Sequence, residues 1–174
     1  MATQINASFV TPALTATETS ATGDASWSPK IPVGTTVSLS DGGEAMYVRA
    51  TSTIAQYDAC IIINTSSATG ASIGCVPVTT TNALTSQRLC FAQTAIASAD
   101  YGWVHLKGNN IRTKCLIACQ PAVPLFTTAT AGSLDDTTVT AGYCLGVVAM
   151  SSATSASAPP MVVGNAVIRT WAGG

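Results

Sequence analysis

FAQTAIASADYGWVHLKG (Phe91–Gly108), IRTKCLIAC (Ile111–Cys119), PLFTTATAGSLDD (Pro124–Asp136) and AGYCLGVVAM (Ala141–Met150) follow one another in the second half of the chain. Each is a short apolar run nearly free of charge, bounded by turn-forming Gly, Pro, Asn or Asp, which reads as a succession of β-strands. WVHLK (Trp103–Lys107) alternates most cleanly. Val104 and Leu106 share one face, and Trp103, His105 and Lys107 share the other. If the aliphatic pair faces the core, the aromatic, the histidine and the lysine form an outward patch. Gly108-Asn109-Asn110 has the chemistry of a hairpin turn, and Ile111–Cys119 reads as the next alternating strand. The stretch contains no catalytic constellation; it is a scaffold.

The same pattern extends outward. Upstream, Ile31–Ser40 and Ala45–Ala50 read as strands, the second with Met46, Val48 and Ala50 on one face and Tyr47 and Arg49 on the other. In Ala55–Asn64 the run Ile61-Ile62-Ile63 predicts burial on both faces, as in a closed barrel or a covered sheet. Pro77 assigns Ile73–Thr79 to an edge or a bulge. Arg88–Gln93 is short and apolar, and Thr94–Ala99 makes one helical turn at most. Downstream, Leu125–Thr128 and Gly132–Asp135 flank a turn, Tyr143–Met150 is apolar on both faces, and Met161–Trp171 closes the fold. Turn signals recur every 8–12 residues or so, the spacing of a sandwich or barrel. The expectation is an all-β chain. A single compact β-barrel or β-sandwich domain spans residues 31–174, behind an extended N-terminal arm, residues 1–30, whose Phe9 and Trp27 are candidate anchors. Such an arm either stays mobile or orders by lying on a partner or adding a strand to a sheet edge.

Composition agrees. Of 174 residues only 9% are charged while 47% are hydrophobic. Thr and Val suit pleated surfaces and the strongest helix formers are scarce. A net charge of −1 gives no basic footprint for nucleic acid and no polybasic membrane signal. So little charge implies that other protein chains cover much of the surface, the alternative being a Thr- and Ser-rich surface that is soluble without charge. The N-terminus has no basic and apolar leader pattern, and no apolar run approaches the ~20 residues of a membrane span. Synthesis in a cytoplasm without a cleaved export signal is expected.

Six cysteines and one histidine are the only residues that invite a chemical reading. No CxxC pair occurs, and His105 alone does not build a zinc site. Cys60, Cys75, Cys90, Cys115, Cys119 and Cys144 sit among small apolar neighbours and read as reduced, buried small hydrophobes. On a strand, Cys115 and Cys119 would lie ~13 Å apart, too far for a direct bridge. Neither a GxSxG elbow nor a phosphate loop is present, and Asp135-Asp136 reads as a turn former. No enzyme, cofactor, metal or small-molecule substrate is expected.

Ala97–Val104 (ASADYGWV), Leu125–Asp135 (LFTTATAGSLD) and Tyr57-Asp58-Ala59-Cys60 together resemble the strand and turn motifs of the small β-rich head decoration, or cement, proteins of tailed bacteriophages. The resemblance runs from about Ala45 to Trp171, and Tyr57 stands where Gly is commoner. It implies a protein of the virion's outer capsid surface, often a homotrimer, that binds across neighbouring subunits of the major capsid protein and stabilises the shell without a cofactor. Trp103, His105 and Lys107 are then candidate interface residues, with Phe9 and Trp27 on the arm and Trp171 at the end of the last strand. The competing reading is a β-rich receptor- or glycan-binding module of a phage fibre or adhesin. The low aromatic share, 6%, counts against it.

Overall fold

The computed structural model describes residues 17–19, 29–67, 70–137, 142–153 and 158–170. Among them the chain is all-β and forms no helix. Ten strands make one sheet: β1 (Thr36–Ser38), β2 (Glu44–Ala50), β3 (Ala59–Ser67), β4 (Gly70–Pro77), β5 (Leu89–Ala92), β6 (Tyr101–Arg112), β7 (Leu125–Thr127), β8 (Leu134–Asp135), β9 (Tyr143–Ala149) and β10 (Pro160–Arg169).

Five of these strands close on themselves in the order β2-β4-β3-β5-β6 and back to β2. Every pairing is antiparallel except the parallel β2–β4 contact at Arg49↔Gly74 and Ala50↔Cys75. Closure leaves no unpaired edge. Alternation then dictates the interior. Met46, Val48 and Ala50 of β2, Cys60 of β3, Cys75 of β4, Cys90 and Ala92 of β5, and Val104 and Leu106 of β6 fill it, with Ile54 and Ile96 at one end. The side chains are mostly small, as a barrel this narrow requires. Pro77 is the last residue of β4 and lies opposite Cys60, so β4 is not the edge strand its proline suggested: β2 and β3 flank it. A proline at a strand end removes no ladder bond from the middle.

β6 leaves the barrel and enters a second, open antiparallel layer, β6-β10-β9-β7-β8. The hand-over is at Gly108-Asn109-Asn110. No hairpin forms there. Met161 pairs with Ile111 and Val163 with Gly108, so Asn109 and Asn110 together face Val162 in a bulge. Gly108 (φ 147°) and Asn110 (φ 61°) supply the backbone that the bulge needs. Turn chemistry and bulge chemistry use the same residues, which is why the sequence suggested a turn.

The inner face of the open layer packs on the outside of the barrel. Ile111, Leu125, Leu134, Cys144, Val147, Met161 and Ile168 meet Ala59, Ile61, Leu89 and Phe91 there. Ile61 therefore serves this second core while Ile62 packs against the barrel interior, as the isoleucine run predicted. A part-buried ion pair fastens the junction. Asp58, buried, receives Lys114 Nζ at 2.7 Å and the Ala55 N–H at 2.7 Å. A Cβ on Gly132 (φ 74°) would stand 2.4 Å from the Asp58 carboxyl carbon.

Beyond Arg112 the chain is irregular, against the expected strand to Cys119. Ala118 takes φ 71°, Ile117 is exposed, and the bend brings the Cys115 and Cys119 thiols near enough to influence one another's ionisation. Their predicted ~13 Å separation assumed an extended strand. All six cysteines are free and buried.

Candidate functional site

The outward patch predicted on β6 is only partly outward. Val104 and Leu106 do point into the barrel. On the opposite face Trp103 is 5% exposed, in a third cluster with Ala45 and Tyr47, under Ile31, Val37, Leu39 and Tyr101. Its ring centroid is 5.2 Å from that of Tyr47. The physical reason is β1: Thr36–Ser38 pairs with Glu44–Met46 and carries the preceding residues across the outside of the barrel. The Trp103 indole Nε1 finds no acceptor among the described residues.

His105 is half-buried, in register with Ala45 of β2 and Phe91 of β5. Burial lowers its pKa below 6.5, and the Asp41 carboxylate opposes that shift. Lys107, part-exposed, donates to Glu44 at 3.0 Å, and Arg88 reaches the same carboxylate at 3.6 Å. Alongside lies an open cleft of about 270 Å³ lined by Asp41, Lys107, Asn109, Val163 and Asn165. It is shallow and polar, without the enclosed apolar walls of a small-molecule site.

The arm touches the barrel at one described point. The Glu18 N–H donates to the Tyr101 carbonyl at 2.9 Å, and the Tyr101 N–H returns the bond to Glu18 at 2.9 Å. Residues 17–19 thus extend the edge of β6 beyond the end of β5. The Glu18 carboxylate lies beside the Tyr47 hydroxyl, which is buried without a well-formed hydrogen bond among the described residues. Burial, and then that carboxylate, push the Tyr47 pKa up. The candidate anchors Phe9, Trp27 and Trp171 lie outside the described residues.

The thiols form no catalytic pair with the imidazole. Cys60, Cys75 and Cys90 point into the barrel, while His105 sits on the outer face of β6, so the barrel wall separates them. Cys75 and Cys90 Sγ are 3.5 Å apart. Burial pushes the Cys60 and Cys90 thiols up, while hydrogen bonds from both pull Cys75 down against its own burial. Burial likewise raises Cys115, and it raises Cys144 to about 12. Among the described residues no group of three His, Cys, Asp or Glu is disposed to hold a metal ion, and no helix is long and apolar enough to cross a membrane.

One surface is not singled out by the sequence reading. Tyr143–Met150 is apolar on both faces, yet only one face is covered. Cys144, Val147 and Ala149 point inward, whereas Val148 is 44% and Met150 55% exposed. Val162 of β10, directly opposite Val148, is 40% exposed. Next to them, Leu145 pairs with Val167 and Phe126 with Tyr143, all half-buried on the same outer face. The Phe126 and Tyr143 rings lie 5.5 Å apart. The signal in the sequence was the two-sided apolarity itself, which alternation does not resolve into one buried and one bare face.

No protein-family model matches the chain, and no curated protein matches it. Among solved structures, the N base of the head fibre gp8.5 of bacteriophage phi29 is similar in fold. The TM-score is 0.51 at 12% sequence identity, over 78% of this chain and 99% of that one. A likeness at that identity is one of architecture.

Proposed function

We propose that the chain is a structural protein of a phage head, and that it decorates and stabilises the capsid by binding across neighbouring major capsid protein subunits as a homotrimer. The observation that carries this reading is the fold likeness to a head-fibre base over nearly all of that base. The motifs at Ala97–Val104 and Leu125–Asp135 support it from the sequence side. So does a closed barrel whose interior is filled by its own side chains, which holds a surface rigid and leaves no room for a substrate. Many modest contacts repeated over a lattice would supply the stabilisation. No cofactor or catalytic step belongs to this reading, and the virion surface is where it places the protein.

Purified protein added to capsids that lack it is expected to co-sediment with them and to delay their thermal disruption. No co-sedimentation, together with specific retention on a glycan array, would replace the proposal with the receptor-binding reading. The arm is tested in the same assay. Removal of residues 1–16 leaves Glu18 and its bonds to Tyr101 in place and is expected to weaken capsid binding without unfolding the barrel; unchanged binding removes that segment from the contact.

A further inference from the structure

The outer face of β7, β9 and β10 is an apolar surface with charge only at its margins. Along one row the register runs Arg169↔Tyr143, then Tyr143↔Phe126, then Phe126↔Asp135. Residues in register on neighbouring strands point to the same face. The row therefore reads cation, aromatic, aromatic, carboxylate from β10 across to β8. Below it stand the aliphatic pairs Val167–Leu145 and Val162–Val148. Val148, Met150 and Val162 account for three of the five large apolar side chains exposed among the described residues. Arg169 and Asp135 form no ion pair with other described residues. Arg88, which flanks Val167, is engaged by Glu44.

We infer that this face is the contact between copies of this chain. A bare apolar face rimmed by polar groups marks an interaction site. Here the rim says which partner fits, because the row has opposite charge at its two ends. A second copy turned end for end sets its Asp135 against this Arg169 and its Arg169 against this Asp135, with the aromatic pairs between. A two-fold dimer would satisfy this in both directions; in the three-fold, head-to-tail ring of the homotrimer proposed above, it is satisfied once at each junction, the Arg169 end of one row against the Asp135 end of the next. The surface is thus complementary to itself. The inference rests on the homo-oligomer in the reading above and not on its capsid partner.

The test is sedimentation velocity and light scattering on the full chain in the absence of capsids, with near-ultraviolet circular dichroism to confirm the fold. The wild type is expected to be a defined oligomer. Val148→Glu with Val162→Glu is expected to give monomer with an unchanged fold, since both side chains already face solvent. Arg169→Glu alone and Asp135→Arg alone are each expected to weaken association by tenfold or about that, the order of a charge-assisted hydrogen bond. The double exchange Arg169→Glu with Asp135→Arg is expected to restore it, a recovery that a folding defect would not produce. A monomeric wild type overturns the inference, as does an oligomer that survives the valine substitutions with its fold intact. A monomer that binds capsids through Val148 and Val162 also overturns it and gives the face to the shell. Loss of capsid binding by an intact oligomer breaks the proposed function and leaves this inference standing.

Discussion

The closed barrel and the open layer are built from the same kind of strand, yet they end in opposite conditions. Every strand of the barrel is paired on both sides, and the barrel's outer face is covered on one side by β1 and on another by the open layer. The open layer has one face on the barrel and one in water, and the bare face is as apolar as the covered one at Val148, Met150 and Val162. Closure makes a rigid body with little to offer a partner. Openness leaves an apolar face in contact with water. The difference teaches where to look for stability and where to look for recognition.

The largest effect should come from the barrel interior. Leu106→Ala removes a side chain that is 1% exposed and packed among Met46, Val48 and Val104. It is expected to cost about 2–5 kcal/mol in denaturant unfolding; a smaller loss would mean that the barrel is not the main source of stability. At the junction, Gly132→Ala meets both a positive φ and the Asp58 carboxyl. A cost of about 1–3 kcal/mol is expected, measured the same way. A neutral result there would uncouple the two regions.

Next comes acid. Burial holds the folded pKa of His105 below 6.5, so the unfolded chain takes up that proton first. The stability due to neutral His105 is fully present above pH 6.5 and is lost as pH falls through the lower folded value. Its slope cannot exceed about 1.4 kcal/mol per pH unit. His105→Gln should flatten the stability profile in that window, and a profile that keeps its slope would move the titration to another group. The smallest effect on unfolding is expected on the bare face: Val148→Glu should change the stability of the monomeric chain by no more than about 0.5 kcal/mol, apart from what association itself contributes. A large loss of stability there would erase the distinction between the two regions.

Alternation made much of the barrel legible. Met46, Val48 and Ala50 against Tyr47, and Val104 with Leu106 against Trp103, are assigned to faces by the period of two alone. What alternation cannot say is what lies on the second face. Trp103 faces away from the barrel interior as read, but β1 and Ile31 cover it, a contact between distant parts of the chain. The same gap hid the exposed side of β9. Gly108-Asn109-Asn110 was misread because a bulge and a turn need the same backbone, and only the partner strand decides between them. The parallel β2–β4 contact that closes the barrel has no local signature.

The proposal that the chain decorates the outer surface of a phage capsid can be tested by seeing the particle itself. An electron cryomicroscopy reconstruction of the particle tests it most directly. The account predicts density for the barrel seated on the outer capsid surface, with neighbouring copies meeting at Val148, Val162, Arg169 and Asp135. Particles complete in every other component but lacking this density would contradict it.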